Sequence, residues 1–88
     1  MDDEGERACR NLGQRVIELR KAQGWTQQNL ADRMQIDARE VRRIEAGDNL
    51  TVFTLVKLAA ALGVGVGALF ELARESRPRR PGRPRSSR

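Results

Sequence analysis

The chain has 88 residues, a net charge of +5, one cysteine (Cys9) and no histidine. A chain this short supports a single small domain, whose core cannot hold both a buried enzyme cleft and the scaffold around it. With a lone thiol and no imidazole, neither a multi-ligand zinc site, a Cys-His nucleophile nor an internal disulfide can be assembled within one chain, so neither enzymatic activity nor a cofactor is expected.

The amino terminus, Met1-Asp2-Asp3-Glu4, is acidic and lacks the apolar stretch of a secretory signal. The longest uncharged apolar run, residues 58–70, is interrupted by Gly63, Gly65 and Gly67 and is too short to span a bilayer. A cytoplasmic protein with no membrane partner is expected, and the missing disulfide suits a reducing compartment. Residues 1–9 form an acidic leader and the start of the first helix, residues 10–73 a compact all-α domain of five helices, and residues 74–88 an Arg/Pro-rich tail.

The first helix is predicted over residues 6–23, with Leu12, Val16 and Leu19 on one face and Gly24 as its stop. Thr26 caps a second helix whose Leu30, Ala31 and Met34 turn inward at helical spacing. Only Gln35 and Ile36 separate it from a third helix, so the two meet at a steep angle as a helix-turn-helix. In that third helix Asp37 and Glu40 have the spacing of a capping box, Val41 and Ile44 face the core, and Gly47 ends the helix and turns the chain. Thr51 caps a fourth helix with an apolar face of Val52, Leu55, Val56, Ala59 and Leu62, closed by Gly63. A fifth is predicted over residues 66–74, where Leu69, Phe70 and Leu72 ask for burial although Gly65 and Gly67 weaken its start. Beyond it, prolines and the lack of apolar residues predict a tail disordered in isolation.

Charge is unevenly placed. Residues 1–73 hold ten Lys or Arg against eleven Asp or Glu, whereas residues 74–88 hold seven Arg against Glu75 alone. Without the acidic leader, residues 7–73 carry ten basic and seven acidic groups, so the basic side of the domain must be a local patch. Arg39, Arg42 and Arg43 fall on the outer face of the third helix, a pattern that suits insertion into the DNA major groove.

Leu12-Gly13, Val16, Leu19-Arg20, Gly24-Trp25-Thr26-Gln27, Leu30-Ala31, Arg43-Ile44-Glu45-Ala46-Gly47, Asn49, Leu55, Leu58-Ala59, Leu62-Gly63-Val64 and Leu69-Phe70 stand at fixed offsets. Through them residues 12–70 resemble the lambda-repressor-like, Cro/CI or Xre type of helix-turn-helix domain. The resemblance implies a five-helix fold that binds double-stranded operator DNA, usually as a homodimer on a two-fold-related site. It places Ala38, Arg39 and Arg43 at base edges with Arg42 alongside. Arginine can donate two parallel hydrogen bonds to guanine O6 and N7, and the Ala38 methyl can touch a thymine methyl. The same resemblance places Gln27, with Thr26 and Asn49, at phosphates, and makes Arg20 and Glu45 an ion pair that ties the first helix to the third.

Some positions depart from the family pattern. Asp37 replaces the commoner Ser or Thr, Asp48 and Leu50 occupy a loop that often brings basic residues or proline near the backbone, and Ile17 occupies a usually polar place. The arginine cluster also has a plainer reading, as a solvated helix face forming exposed ion pairs with Glu40, Glu45 or Asp48. Trp25 reads as a core or lid residue, and Cys9 as inert. In the tail, Gly82-Arg83-Pro84 with Arg80, Pro81 and Arg85 resembles the centre of an AT-hook. The alternative is a nonspecific polycation that adds affinity by counterion release.

Two functional classes follow. One is a sequence-specific transcriptional regulator, a repressor or small autoregulatory switch, of the kind found among phage repressors, restriction-modification controllers and antitoxins. The other is a module that uses the same fold to hold a protein partner such as a toxin or polymerase. Val66, Leu69, Phe70 and Leu72 are the expected dimer or partner surface, with Ile17 as a further candidate.

Overall fold

The computed structural model describes residues 3–74. Their elements are α1 (Glu4–Ala22), α2 (Gln27–Met34), α3 (Ala38–Glu45), α4 (Val52–Leu62) and a 3₁₀ segment (Val66–Phe70). The all-α expectation holds for these residues, but with four α-helices in place of five.

The first helix begins two residues earlier than its apolar pattern indicated, because Asp3 caps it by accepting from the Glu6 amide at 2.8 Å. Thr26 caps α2 through a reciprocal box in which its hydroxyl accepts from the Asn29 amide and the Asn29 side chain accepts from the Thr26 amide. Thr51 caps α4 by accepting from the Thr54 amide. The box expected at Asp37 and Glu40 does not form: Asp37 occupies the cap position of α3 without a side-chain hydrogen bond.

All four helices end alike. Residues 24, 35, 47 and 63 take positive φ, and the following amide returns to a carbonyl five residues back, as in Trp25 to Arg20, Ile36 to Ala31, Asp48 to Arg43 and Val64 to Ala59. Three of these positions are glycine; the fourth is Gln35, at φ 60° and ψ 45°. This left-handed residue provides the tight turn between α2 and α3.

Leu12 and Val16 of α1, Leu30, Ala31 and Met34 of α2, Val41 and Ile44 of α3, Leu58, Ala59 and Leu62 of α4, and Leu69 form one core. Gly13 lets α1 close on the end of α3: a Cβ there would stand 2.6 Å from the Glu45 carbonyl oxygen and 2.9 Å from that of Ile44. On α4 the buried face is centred on Leu58, Ala59 and Leu62, so Val52 and Val56, expected inside, are exposed. In the first turn of α4, Val52 and Phe53 face solvent while Leu55 packs against the core.

The fifth helix is replaced by a single 3₁₀ turn that runs into extended backbone at Glu71. Glycines at 65 and 67 disfavour a regular helix, and side chains of α1 satisfy the backbone groups in its place. Arg15 Nε donates to the Ala68 carbonyl at 2.8 Å, Asn11 Nδ2 donates to the Glu71 carbonyl at 2.9 Å, and Asn11 Oδ1 accepts from the Ala73 amide at 2.8 Å. Glu18 accepts from the Arg74 amide. This strap buries Leu69 and Ala73 completely.

Candidate nucleic-acid interface

The sequence Ala38-Arg39-Glu40-Val41-Arg42-Arg43-Ile44-Glu45 places charge and apolar groups on opposite sides of α3. Val41, Ile44 and Glu45 are buried, while Arg39, Arg42 and Arg43 are exposed. The side chains of Arg39 and Arg42 make no ion pair or hydrogen bond with other described residues. Their guanidinium groups remain available for phosphate oxygens or base edges. Ala38 is partly buried and packs against the core, which leaves part of its methyl open to contact.

Arg43 is exposed but held. Its Nε donates to Asp48 Oδ2 at 3.0 Å, and its Nη1 stands 3.8 Å from Glu40 Oε1. The hydrogen bond with Asp48, followed by the charges of Glu40 and Asp48, raises its pKa above the ordinary arginine value.

Behind the exposed face lies a buried polar network. Arg20 grips Glu45 in a two-pronged pair, Nε to Oε2 at 2.6 Å and Nη2 to Oε1 at 3.1 Å, and its Nη1 donates to the Trp25 carbonyl at 2.8 Å. Gln27 Nε2 donates to Glu45 Oε1 at 2.8 Å. One carboxylate on α3 therefore joins α1 to the first residue of α2, and Arg20 extends the network to the turn before α2. Planar pairing of this kind fixes orientation as well as distance.

Gln27, expected at a phosphate, uses one amide hydrogen on Glu45 and keeps the other. Thr26 is exposed, with its hydroxyl oxygen occupied as a cap acceptor and its proton free to donate. The amides of Gln27 and Gln28 stand at the open end of α2, ahead of the first intrahelical bond. Asn49 is exposed beside Asp48. Trp25 is half-buried against the core, with the Arg33 guanidinium 4.1 Å from its ring centroid, which agrees with a lid role.

The expected dimer or partner surface needs correction at one residue. Leu69 is fully buried in the core, whereas Val66, Phe70 and Leu72 are exposed. Three further exposed apolar residues, Val52, Phe53 and Val56, lie on α4. The tail arginines Arg80, Arg83 and Arg85 lie outside the described residues. Among the described residues, no cluster of acidic residues and cysteine could hold a metal ion, and no helix is long and apolar enough to cross a membrane.

Sequence reasoning missed the roles of Asn11, Arg15 and Glu18 in strapping residues 68–74 to α1. Their spacing of three to four along a helix was the available signal. The pairing of Arg43 with Asp48 is the one that the plainer reading of the arginine cluster names.

Residues 16–69 match a family model described as helix-turn-helix. Among solved structures, the chain is similar to the restriction-modification controller protein C.AhdI from Aeromonas hydrophila, at 36% identity and a TM-score of 0.68, over 70% of this chain and 96% of that one. It is also similar to the hypothetical transcription factor NHTF from Neisseria, at 27% identity and a TM-score of 0.72, over 83% of this chain and 85% of that one. No curated protein matches significantly. With a family match over more than half its length and the polar and apolar pattern of α2 and α3 in place, the chain belongs to the Xre, or Cro/CI-like, helix-turn-helix family of DNA-binding transcription regulators.

Proposed function

We propose that this protein is a sequence-specific transcriptional regulator that binds double-stranded DNA as a homodimer, reads the major groove with α3, and acts as a repressor or small autoregulatory switch. One observation carries the reading: α3 turns Arg39, Arg42 and Arg43 outward while Arg20, Glu45 and Gly13 fix its inner side against α1. Arg39, Arg42 and Arg43 read bases, with at least one guanine in each half-site, and Ala38 touches a thymine methyl. Gln27, Thr26, Asn49 and the open amides of α2 hold phosphates and set the register. Arg80, Arg83 and Arg85 add affinity from the tail by counterion release.

Similarity to a restriction-modification controller favours the autoregulatory form. The dimer contact draws on exposed Val66, Phe70 and Leu72. Selection of bound fragments from random DNA, followed by footprinting, tests the proposal. Two protected half-sites about 34 Å apart support it, whereas retention of every sequence alike refutes it. Removing residues 75–88 should flatten the salt dependence and weaken all sequences equally. A loss confined to operators flanked by A-tracts would assign the tail to the minor groove instead.

A second reading, a module that holds a protein partner such as a toxin or polymerase, draws support from Val52, Phe53 and Val56, apolar groups that the core does not use. Binding of such a partner by a chain with no DNA sequence preference would favour it.

A further inference from the structure

We propose that Asp48 is a specificity-determining positioning residue: it holds Arg43 by Nε so that the guanidinium presents its terminal nitrogens to a base, and its own charge discourages sequence-independent contact with phosphate. This inference rests on the major-groove reading above.

The argument begins with which nitrogen is engaged. Asp48 Oδ2 accepts from Arg43 Nε at 3.0 Å, and Glu40 Oε1 stands 3.8 Å from Nη1, beyond hydrogen-bond reach. The edge formed by Nη1 and Nη2 is therefore unspent, and it can donate to guanine O6 and N7 together. A long side chain without such a support samples many rotamers, and ordering it on binding costs entropy. Here Asp48 limits that sampling before DNA arrives. The backbone that carries the carboxylate is itself anchored, since the Asp48 amide returns to the Arg43 carbonyl at 3.1 Å in the turn that closes α3. Both side chains are more than half exposed, so the pair adds little to folding stability. Asp48 can accordingly be changed without unfolding the domain.

The charge acts in the same direction. An anionic group beside the reading helix weakens attraction to any phosphate, which lowers nonspecific binding. A contact with guanine through the unspent edge of Arg43 is retained. Discrimination between sequences therefore rises at some cost in total affinity.

The test is a double-mutant cycle on the full chain, using wild type, Asp48→Ala, Arg43→Gln and the double variant. Binding is measured by fluorescence anisotropy on a duplex obtained by selection and on a scrambled duplex, with far-UV circular dichroism confirming the fold. The expected result is that Asp48→Ala tightens binding to the scrambled duplex but lowers the ratio of selected to scrambled affinity by about tenfold. In the Arg43→Gln background the same change should leave that ratio unaltered. If Asp48→Ala raises both affinities equally in both backgrounds, Asp48 contributes only its charge, and the positioning role is overturned while the regulator reading stands. If wild type itself shows no preference for any duplex, both readings fall.

Discussion

Glu45→Ala is the perturbation with the most consequences, because one carboxylate satisfies three donors. Its removal leaves Arg20 Nε and Nη2 and Gln27 Nε2 without their acceptor, with only the Trp25 carbonyl still holding the guanidinium. The side chains of Arg20 and Glu45 are 10% and 4% exposed, so water does not readily replace the lost partner. Stranding one member of a buried pair costs about 3–5 kcal/mol. A domain of roughly 70 residues has about 4–10 kcal/mol of stability in all. The variant should therefore lose much of its stability, with a fall in melting temperature of ~15 °C or more. Replacing both partners by apolar residues, Arg20→Met with Glu45→Leu, should be far milder, because no charge is left buried. Urea denaturation followed by far-UV circular dichroism measures both variants. A loss below ~1 kcal/mol for Glu45→Ala would refute the reasoning and place the pair among solvated surface contacts.

Other expectations follow from the same geometry. Reversing charge at Arg39 and Arg43 together should lower operator affinity by about 100-fold or more, as the two proposed base contacts become repulsive, while melting without DNA moves only a few degrees; unchanged affinity in a titration would remove α3 from the proposed interface. Gln35→Gly should stabilise the domain by ~0.5–1 kcal/mol, because Gln35 occupies the left-handed region at φ 60°, and thermal melting reads the gain. Gly13→Ala should destabilise by about 1–3 kcal/mol, since its methyl meets two carbonyl oxygens of α3, and unchanged denaturation would mean that α1 and α3 separate freely. Asn11→Ala should speed amide exchange at Ala73 with little change in the core of α1, and equal protection in both proteins would show that the strap does not depend on Asn11.

The helical core was legible because the helices announce both their starts and their stops. Thr26 and Thr51 cap where their residue type and position indicated, and Gly24, Gly47 and Gly63 turn the chain at the expected places. Errors arose where one local signal had competing solutions. Asp37 and Glu40 have capping-box spacing, yet the Glu40 carboxylate lies near Arg43 and Asp37 forms no cap bond. The apolar run at the start of α4 fits a buried face by composition, but only the tertiary arrangement decides that Leu58 points inward and Val52 outward. The last segment became a 3₁₀ turn because backbone acceptors that a helix would satisfy internally are taken by Arg15 and Asn11, more than fifty residues away. Helical spacing sets Asn11, Arg15 and Glu18 on one face of α1, but no periodicity identifies the distant segment they hold. For the interface, the positions of Arg39, Arg42 and Arg43 were legible from helical phase alone, whereas the division between two unpaired arginines and one held by Asp48 required the fold.

Of the four α-helices, α3 is the least self-sufficient, and under the proposed function this couples stability to DNA binding. It has eight residues, far fewer than a helix needs to persist alone, and no side chain caps its start. Three exposed arginines occupy its outer face, and Asp48 and Glu40 offset the charge of Arg43 alone. Its fully buried apolar side chains are Val41 and Ile44, each worth about 1.5–3 kcal/mol. The remaining constraint comes from its last turn, where Gly13 admits the carbonyls of Ile44 and Glu45 and where Arg20 clasps Glu45. Arg39, Arg42 and Arg43 thus project from a helix whose pose is fixed at its C-terminal end and by packing, not by its own propensity. Substitutions at Gly13, Arg20 or Glu45 should consequently lower operator affinity without touching DNA, and the loss should track stability. Substitutions at Arg39 or Arg42 should lower affinity at constant stability. Plotting one quantity against the other across such a series separates side chains that read from side chains that hold the reader in place.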